Sequence, residues 1–149
     1  IEEDRYYLTL SYFTESKLAQ KIIKLNDMSN FSVDQAYIKT LIDRVEMTKD
    51  IDYTDVQKDA ILKALTNKVS IITGGPGTGK TTIIDGLLEV YKIYNKLNFD
   101  HPDIYEKIAC LAPTGRAAKV LSNYANKPAF TIHKMIYQLR FSRSRRGFG

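Results

Sequence analysis

The sequence has a single cysteine, Cys110, so no disulfide can form within the chain. Its two histidines, His101 and His133, are too few to suggest a zinc site beside one thiol. Tryptophan is absent, and no apolar run approaches the roughly 20 residues that cross a bilayer, so no membrane segment is expected. The first five residues, Ile1 to Arg5, are acidic rather than basic, unlike a secretory leader. A reducing, cytoplasmic setting is expected. Acidic residues also stop abruptly: none follows Pro113. Basic residues do not. Of a net charge of +5, four charges sit in the last twelve residues, as Arg140, Arg143, Arg145 and Arg146, which leaves the body nearly neutral. That basic end is either a nucleic-acid contact or a solvated chain end.

At 44% hydrophobic and 26% charged residues, 149 residues suit one compact core with a second small element at most. Residues 6–10 read as a short strand, and 14–26 as a helix with Leu18, Ile22 and Leu25 at helical spacing. Ser32 with Gln35 forms a capping pattern ahead of a helix whose buried stripe is Ile38, Leu41, Ile42 and Val45. Residues 47–53 read as a connection, with a domain boundary near Ile51. Thr54 with Gln57 opens the next helix, which ends near Asn67. The apolar, β-branched run at 69–73 reads as a buried strand. A helix follows at 80–94, with Ile83, Ile84, Leu87, Leu88 and Tyr91 as its apolar face, then a loop at 95–106. A second strand at 107–112, a helix at 115–124 and a helix capped by Thr131 running to about Leu139 complete the chain. This alternation of helix and strand argues for a parallel α/β sheet.

Between the first of these strands and its helix lies GGPGTGKT, residues 74–81, which fits the phosphate-loop pattern G-x-x-x-x-G-K-[ST]. Gly75, Gly77 and Gly79 allow backbone torsions that converge amide groups on an anion, with Pro76 and Thr78 between them. The helix start adds unpaired N–H groups from Lys80, Thr81 and Thr82. Lys80 brings a point charge to the β- and γ-phosphates, and the Thr81 hydroxyl is a ligand for Mg²⁺. ATP with Mg²⁺ is therefore the expected cofactor. A merely flexible glycine turn would leave the Lys-Thr-Thr at the helix start unexplained.

Phosphate loops serve kinases, AAA-type ATPases and motors alike, so neighbouring residues must narrow the function. Three blocks do so: Gln57 ahead of the loop, residues 74–82, and residues 112–119 (APTGRAAK) followed by Thr131-Ile132-His133. In this order they resemble RecD-like superfamily 1 DNA helicases, the group that includes the α subunit of exodeoxyribonuclease V. The resemblance covers about residues 53–136. It implies a partial RecA-like P-loop NTPase fold, a parallel sheet with helices on both faces, in residues 51–149, truncated before the Walker B acids. Residues 1–50 would be a small preceding N-terminal segment, a strand and helices. It further implies ATP-driven movement on single-stranded DNA with 5′-to-3′ polarity, duplex unwinding, and partner subunits in a repair or recombination complex.

The same resemblance carries residue roles. Gln57 would meet the adenine edge; by local pattern it is otherwise the N3 partner of the Thr54 cap. Thr114, Gly115 and Arg116 look like the motif that lies beside single-stranded DNA, and His133 like a following DNA contact. Arg116 and Lys119 are otherwise surface charges, and His133 a capping or packing residue. The alternatives are another P-loop ATPase or kinase, and a non-motor nucleic-acid module in which the arginine-rich end does the binding. Because the acidic pair and the second motor domain's arginines are not among these residues, the chain alone is expected to bind nucleotide without meaningful turnover.

Overall fold

The computed structural model describes residues 8–27, 33–97, 107–125 and 127–145. Helix α1 spans Thr9–Asn26, and the Leu8 carbonyl accepts from the Tyr12 N–H at 3.0 Å. Residues 6 and 7 lie outside the described residues, and Thr9 and Leu10, expected in a strand, are helical instead. No described strand lies beside them, and helical bonding satisfies the backbone without a partner. None of the other described elements packs against α1, and Leu10, Phe13, Leu18 and Ile23 are exposed.

Helix α2 spans Gln35–Lys49. Ser32 lies outside the described residues; the cap is Asp34, whose Oδ1 accepts from the Tyr37 N–H at 3.0 Å. A carboxylate here also suits the positive end of the helix dipole. The helix takes in residues 47–49, expected as connection, and stops where Asp50 turns left-handed at φ 53°. Helix α3, Asp55–Thr66, has the expected capping box with both bonds present. Helix α4 spans Lys80–Tyr94 and starts from Gly79.

These three helices share one apolar core: Ile38, Leu41, Ile42 and Val45 from α2, Ile61 and Leu65 from α3, Ile83 and Val90 from α4, with Tyr53 among them. The core therefore runs across Ile51. Ion pairs between the helices brace it. Lys49 of α2 reaches Asp85 of α4 at 2.6 Å, and Lys58 of α3 reaches Glu46 of α2 at 2.7 Å.

Glu46 also accepts from the Tyr53 N–H at 2.7 Å. The Lys58 hydrogen bond, against the opposing effect of burial and helped by the Tyr53 N–H, holds the Glu46 carboxyl below its usual range. A depressed carboxyl stabilises the fold above its unfolded pKa of about 4.3, and that contribution disappears as pH falls through the lower folded value. Glu46→Gln is thus expected to flatten the acid side of a plot of melting temperature against pH, most clearly below about pH 4. An unchanged acid limb would show that the pair contributes nothing.

The remainder is α/β. Strand β1 (Cys110–Ala112) pairs in parallel with β2 (Ala129–Thr131), in the register Cys110 with Ala129, Leu111 with Phe130 and Ala112 with Thr131. Helix α5 (Gly115–Ala125) connects them and packs on both strands and on α4. Helix α6 (Ile132–Arg145) follows β2 directly and runs beyond Leu139. The α/β class and the parallel pairing are as expected, but three details differ. The strand expected at 107–112 begins only at Cys110. The strand at 129–131 is additional. The segment at 69–73 has no ladder partner among the described residues, Val69 lies in a bend, and Ile71 is exposed. A strand is defined by its neighbour, and β-branched character alone does not supply one.

Candidate nucleotide and nucleic-acid site

The phosphate loop is shaped by two glycines in left-handed conformation, Gly77 at φ 74° and Gly79 at φ 78°. Residues with a Cβ rarely adopt this region, and here it turns the chain sharply into α4. Inside the turn the Thr78 hydroxyl donates to the Gly75 carbonyl at 2.9 Å. The Lys80 ammonium donates to the Gly74 carbonyl at 2.7 Å and to the Gly75 carbonyl, and lies 3.4 Å from Thr78 Oγ1. Lysine and threonine thus close a ring over the loop. The residues at its mouth, Gly75, Pro76, Gly77 and Thr78, are exposed, whereas Lys80, Thr81 and Thr82 are half-buried at the start of α4.

That helix start has N–H groups with no acceptor within the helix, so it favours an anion. Among the described residues no three His, Cys, Asp or Glu side chains gather to hold a metal. Any Mg²⁺ here would depend on the Thr81 hydroxyl together with phosphate oxygens from a nucleotide.

Gln57 lies beside this loop. Its Oε1 accepts from the Thr54 N–H at 3.0 Å, while its own N–H donates to Thr54 Oγ1 at 3.3 Å. Its Nε2 stands where a side chain at position 79 would go, so a Cβ there would have to displace the end of the Gln57 side chain in addition to adopting the strained torsion. Nothing in the sequence pattern indicated this contact between the α3 cap and the α4 start.

The other predicted residues gather at the ends of the two paired strands. Thr114 caps α5, its Oγ1 accepting from the Ala117 N–H at 3.2 Å, and Gly115 and Arg116 follow, all exposed. Thr131 Oγ1 accepts from the Lys134 N–H at 3.2 Å, and exposed His133 lies in the first turn of α6. Because β1 and β2 are parallel neighbours, both helix starts leave the same edge of the sheet. The sequence reading missed Lys134, whose ammonium sits 4.9 Å from the centre of the Phe130 ring on this edge. Cys110 is at the opposite end of β1. Burial, opposed by the charge of Lys127, raises its thiol pKa, which makes it a poor nucleophile.

Comparison with known proteins gives a family. Residues 57–146 match the AAA domain family. The chain belongs to it. The matched stretch of this AAA domain starts at Gln57 and takes in the phosphate loop and both strand-edge motifs.

The chain is also 31% identical over 124 residues to the RecBCD enzyme subunit RecD of Buchnera aphidicola subsp. Schizaphis graminum, covering 83% of this chain and 19% of that protein. Identity to the RecD subunit of Haemophilus influenzae is 42% over 83 residues, 55% of this chain and 12% of that protein. An uncharacterized protein of Methanocaldococcus jannaschii is 40% identical over 84 residues, 55% of this chain and 6% of that protein. The RecD-like resemblance read from the three motif blocks is borne out. An AAA description and RecD likeness attach to one chain and are not exclusive. The chain spans a fifth or less of the length of these curated relatives. Among the described residues, no helix is long and apolar enough to cross a membrane.

Proposed function

We propose that this AAA domain is the ATP-binding part of a DNA helicase that couples ATP hydrolysis to translocation on single-stranded DNA and to duplex unwinding. A role in DNA repair or recombination, in the cytoplasm and alongside partner subunits, belongs to the same proposal. So does a functional unit from residue 51 onward, with residues 1–50 as a preceding segment. The observation that carries the reading is the ring made by Lys80, Thr78 and the Gly74 and Gly75 carbonyls at the start of α4.

In this reading, the peptide N–H groups of Gly75 and residues 77–79 would hold the β- and γ-phosphates, Lys80 would donate to phosphate oxygens, and the Thr81 hydroxyl would be a ligand for Mg²⁺. Bound Mg²⁺ would supply neutralisation of phosphate charge. Gln57 borders the nucleotide from α3. Thr114, Gly115 and Arg116 hold the DNA backbone through N–H groups, a hydroxyl and a guanidinium, with His133 offering a ring to a base. No carboxylate follows Pro113, so these 149 residues bind nucleotide without meaningful turnover.

The DNA side is tested by fluorescence anisotropy with a labelled single-stranded oligonucleotide over a salt series. Contact with two or three phosphates predicts a slope of log K against log salt of about −1.4 to −2.1. Arg116→Ala should weaken binding and reduce the slope by about 0.7. If deleting residues 138–149 abolished binding while Arg116→Ala left it intact, the basic end would be the binding element and the motor reading of the DNA edge would fail.

A further inference from the structure

Exposed His133 lies in the first turn of α6, and Tyr137, four residues on, is exposed as well. At about 100° per residue, both leave the helix some 160–200° from half-buried Met135, so they share its outward face. Lys134 stands at the flank of that face. Its N–H donates to the Thr131 cap at 3.2 Å, and its ammonium is 4.9 Å from the centre of the Phe130 ring. A single exposed aromatic ring is ordinary and alone would carry nothing. Here two rings lie on one helix face beside a cation, and α5, β2 and α6 contain no acidic residue at all. That combination suits a polyanion with flat, accessible bases.

We propose that α6 carries single-stranded DNA onward from the sheet edge: Tyr137 stacks on the base next to the one met by His133, and Lys134 pairs with the phosphate between them. This rests on the DNA reading of Thr114, Gly115, Arg116 and His133 above, and extends that track by one helical turn. Four residues rise about 6 Å along a helix. Successive bases of a duplex strand are about 3.4 Å apart, so rings at the wider spacing take neighbouring bases only from a strand whose stacking has opened. A ring offers a face rather than a pattern of donors and acceptors, so the contact tolerates any sequence. The contact with Phe130 keeps the Lys134 ammonium beside the edge. Ring and ammonium differ in one measurable way: a neutral ring displaces no counterion from the phosphates, and a lysine does.

Fluorescence anisotropy of this 149-residue chain with a labelled oligothymidylate tests the proposal, beside an abasic strand of the same length. Tyr137→Ala should lower affinity for the thymidylate at least about fivefold, the low end for loss of one base–aromatic stack, and leave the salt slope unchanged. Tyr137→Phe keeps the ring and should stay within about twofold of the unaltered chain. Lys134→Ala should instead reduce the slope by about 0.7. Both positions are exposed, so melting temperatures should stay within about 2 °C. The abasic strand should bind the unaltered chain and Tyr137→Ala alike. The chain has no tryptophan, so Tyr137→Trp installs a single reporter, whose emission the thymidylate should quench and the abasic strand should not.

Undiminished binding by Tyr137→Ala, or equal quenching of Tyr137→Trp by the two strands, would overturn the α6 track. If Arg116→Ala still weakened binding in that case, the sheet-edge reading would stand. Absence of binding of either strand to the unaltered chain, or binding indifferent to Arg116→Ala, would remove the sheet-edge reading and this inference with it.

Discussion

Replacing Lys80 by alanine is expected to lower affinity for MgATP and MgADP by at least about a hundredfold, equivalent to about 2.7 kcal/mol. Hydrogen bonds to a charged group contribute about 1.5–3 kcal/mol each, and this ammonium can make two or three to phosphate oxygens. The fold should be little affected. The carbonyls that Lys80 now meets, on Gly74 and Gly75, belong to exposed residues, so water replaces the lost donor. A thermal melt shows both effects together. At a ligand concentration one hundred times Kd, the unaltered chain should gain about 2.7 kcal/mol of stability, and Lys80→Ala should gain almost none. Equal ligand-induced shifts in the two proteins would show that the nucleotide binds elsewhere.

The second large effect lies away from the site, where α4 meets Tyr53. A Cβ added at Gly86 would stand 2.5 Å from the Tyr53 hydroxyl, 2.9 Å from its ring carbon Cζ and 3.0 Å from Ile61 Cδ1. Alanine in mid-helix is favoured over glycine by about 1 kcal/mol, which taken alone would make Gly86→Ala stabilising. Overpacking opposes it. Tyr53 and Ile61 are buried, with Ile61 wholly enclosed, so neither can swing aside as a flexible surface chain would. A net loss of about 2 kcal/mol is expected, within the usual range for forcing methyl groups into a packed core.

Tyr53 sharpens the test. Its hydroxyl is buried without a hydrogen-bond partner among the described residues, and burial, followed by the charges of Asp85, Glu46 and Glu89, pushes its pKa up. Tyr53→Phe should therefore stabilise the chain by about 1 kcal/mol, since it removes a polar group whose solvation was lost without replacement. It also removes the tightest contact with position 86. The cost of Gly86→Ala should then shrink by about 1 kcal/mol in the phenylalanine background, a coupling that urea denaturation of the four proteins would measure. Strict additivity would mean that Tyr53 and Gly86 do not share this space.

What could be read in the residues themselves was local in range. Thr54 and Gln57 are three apart, so their reciprocal cap is specified by neighbours alone. The same holds for the loop at 74–81, whose glycines, lysine and threonine state their purpose in eight consecutive positions, and for Thr114 and Thr131 at their helix starts. The stripe Ile38, Leu41, Ile42 and Val45 identified its buried face by period alone. The cap of α2 was less legible, because Ser32 and Asp34 both suit such a role and only backbone conformation chooses between them.

Strands depend on partners remote in sequence, and there the residues said less. Three residues with Pro128 just before them hardly announce β2, yet they complete a ladder because α5 returns the chain alongside β1. The apolar run at 69–73 announces a strand strongly but has no ladder among the described residues. By itself the sequence determined the loop chemistry, the helix caps and the apolar faces, since each is settled by groups a few residues apart. Tertiary structure alone decided that Tyr53 fills the gap over Gly86, that Gln57 lies against Gly79, and that Thr114 and His133 share one sheet edge. Those are distances between segments brought together by packing, and a residue's own neighbours carry no information about them.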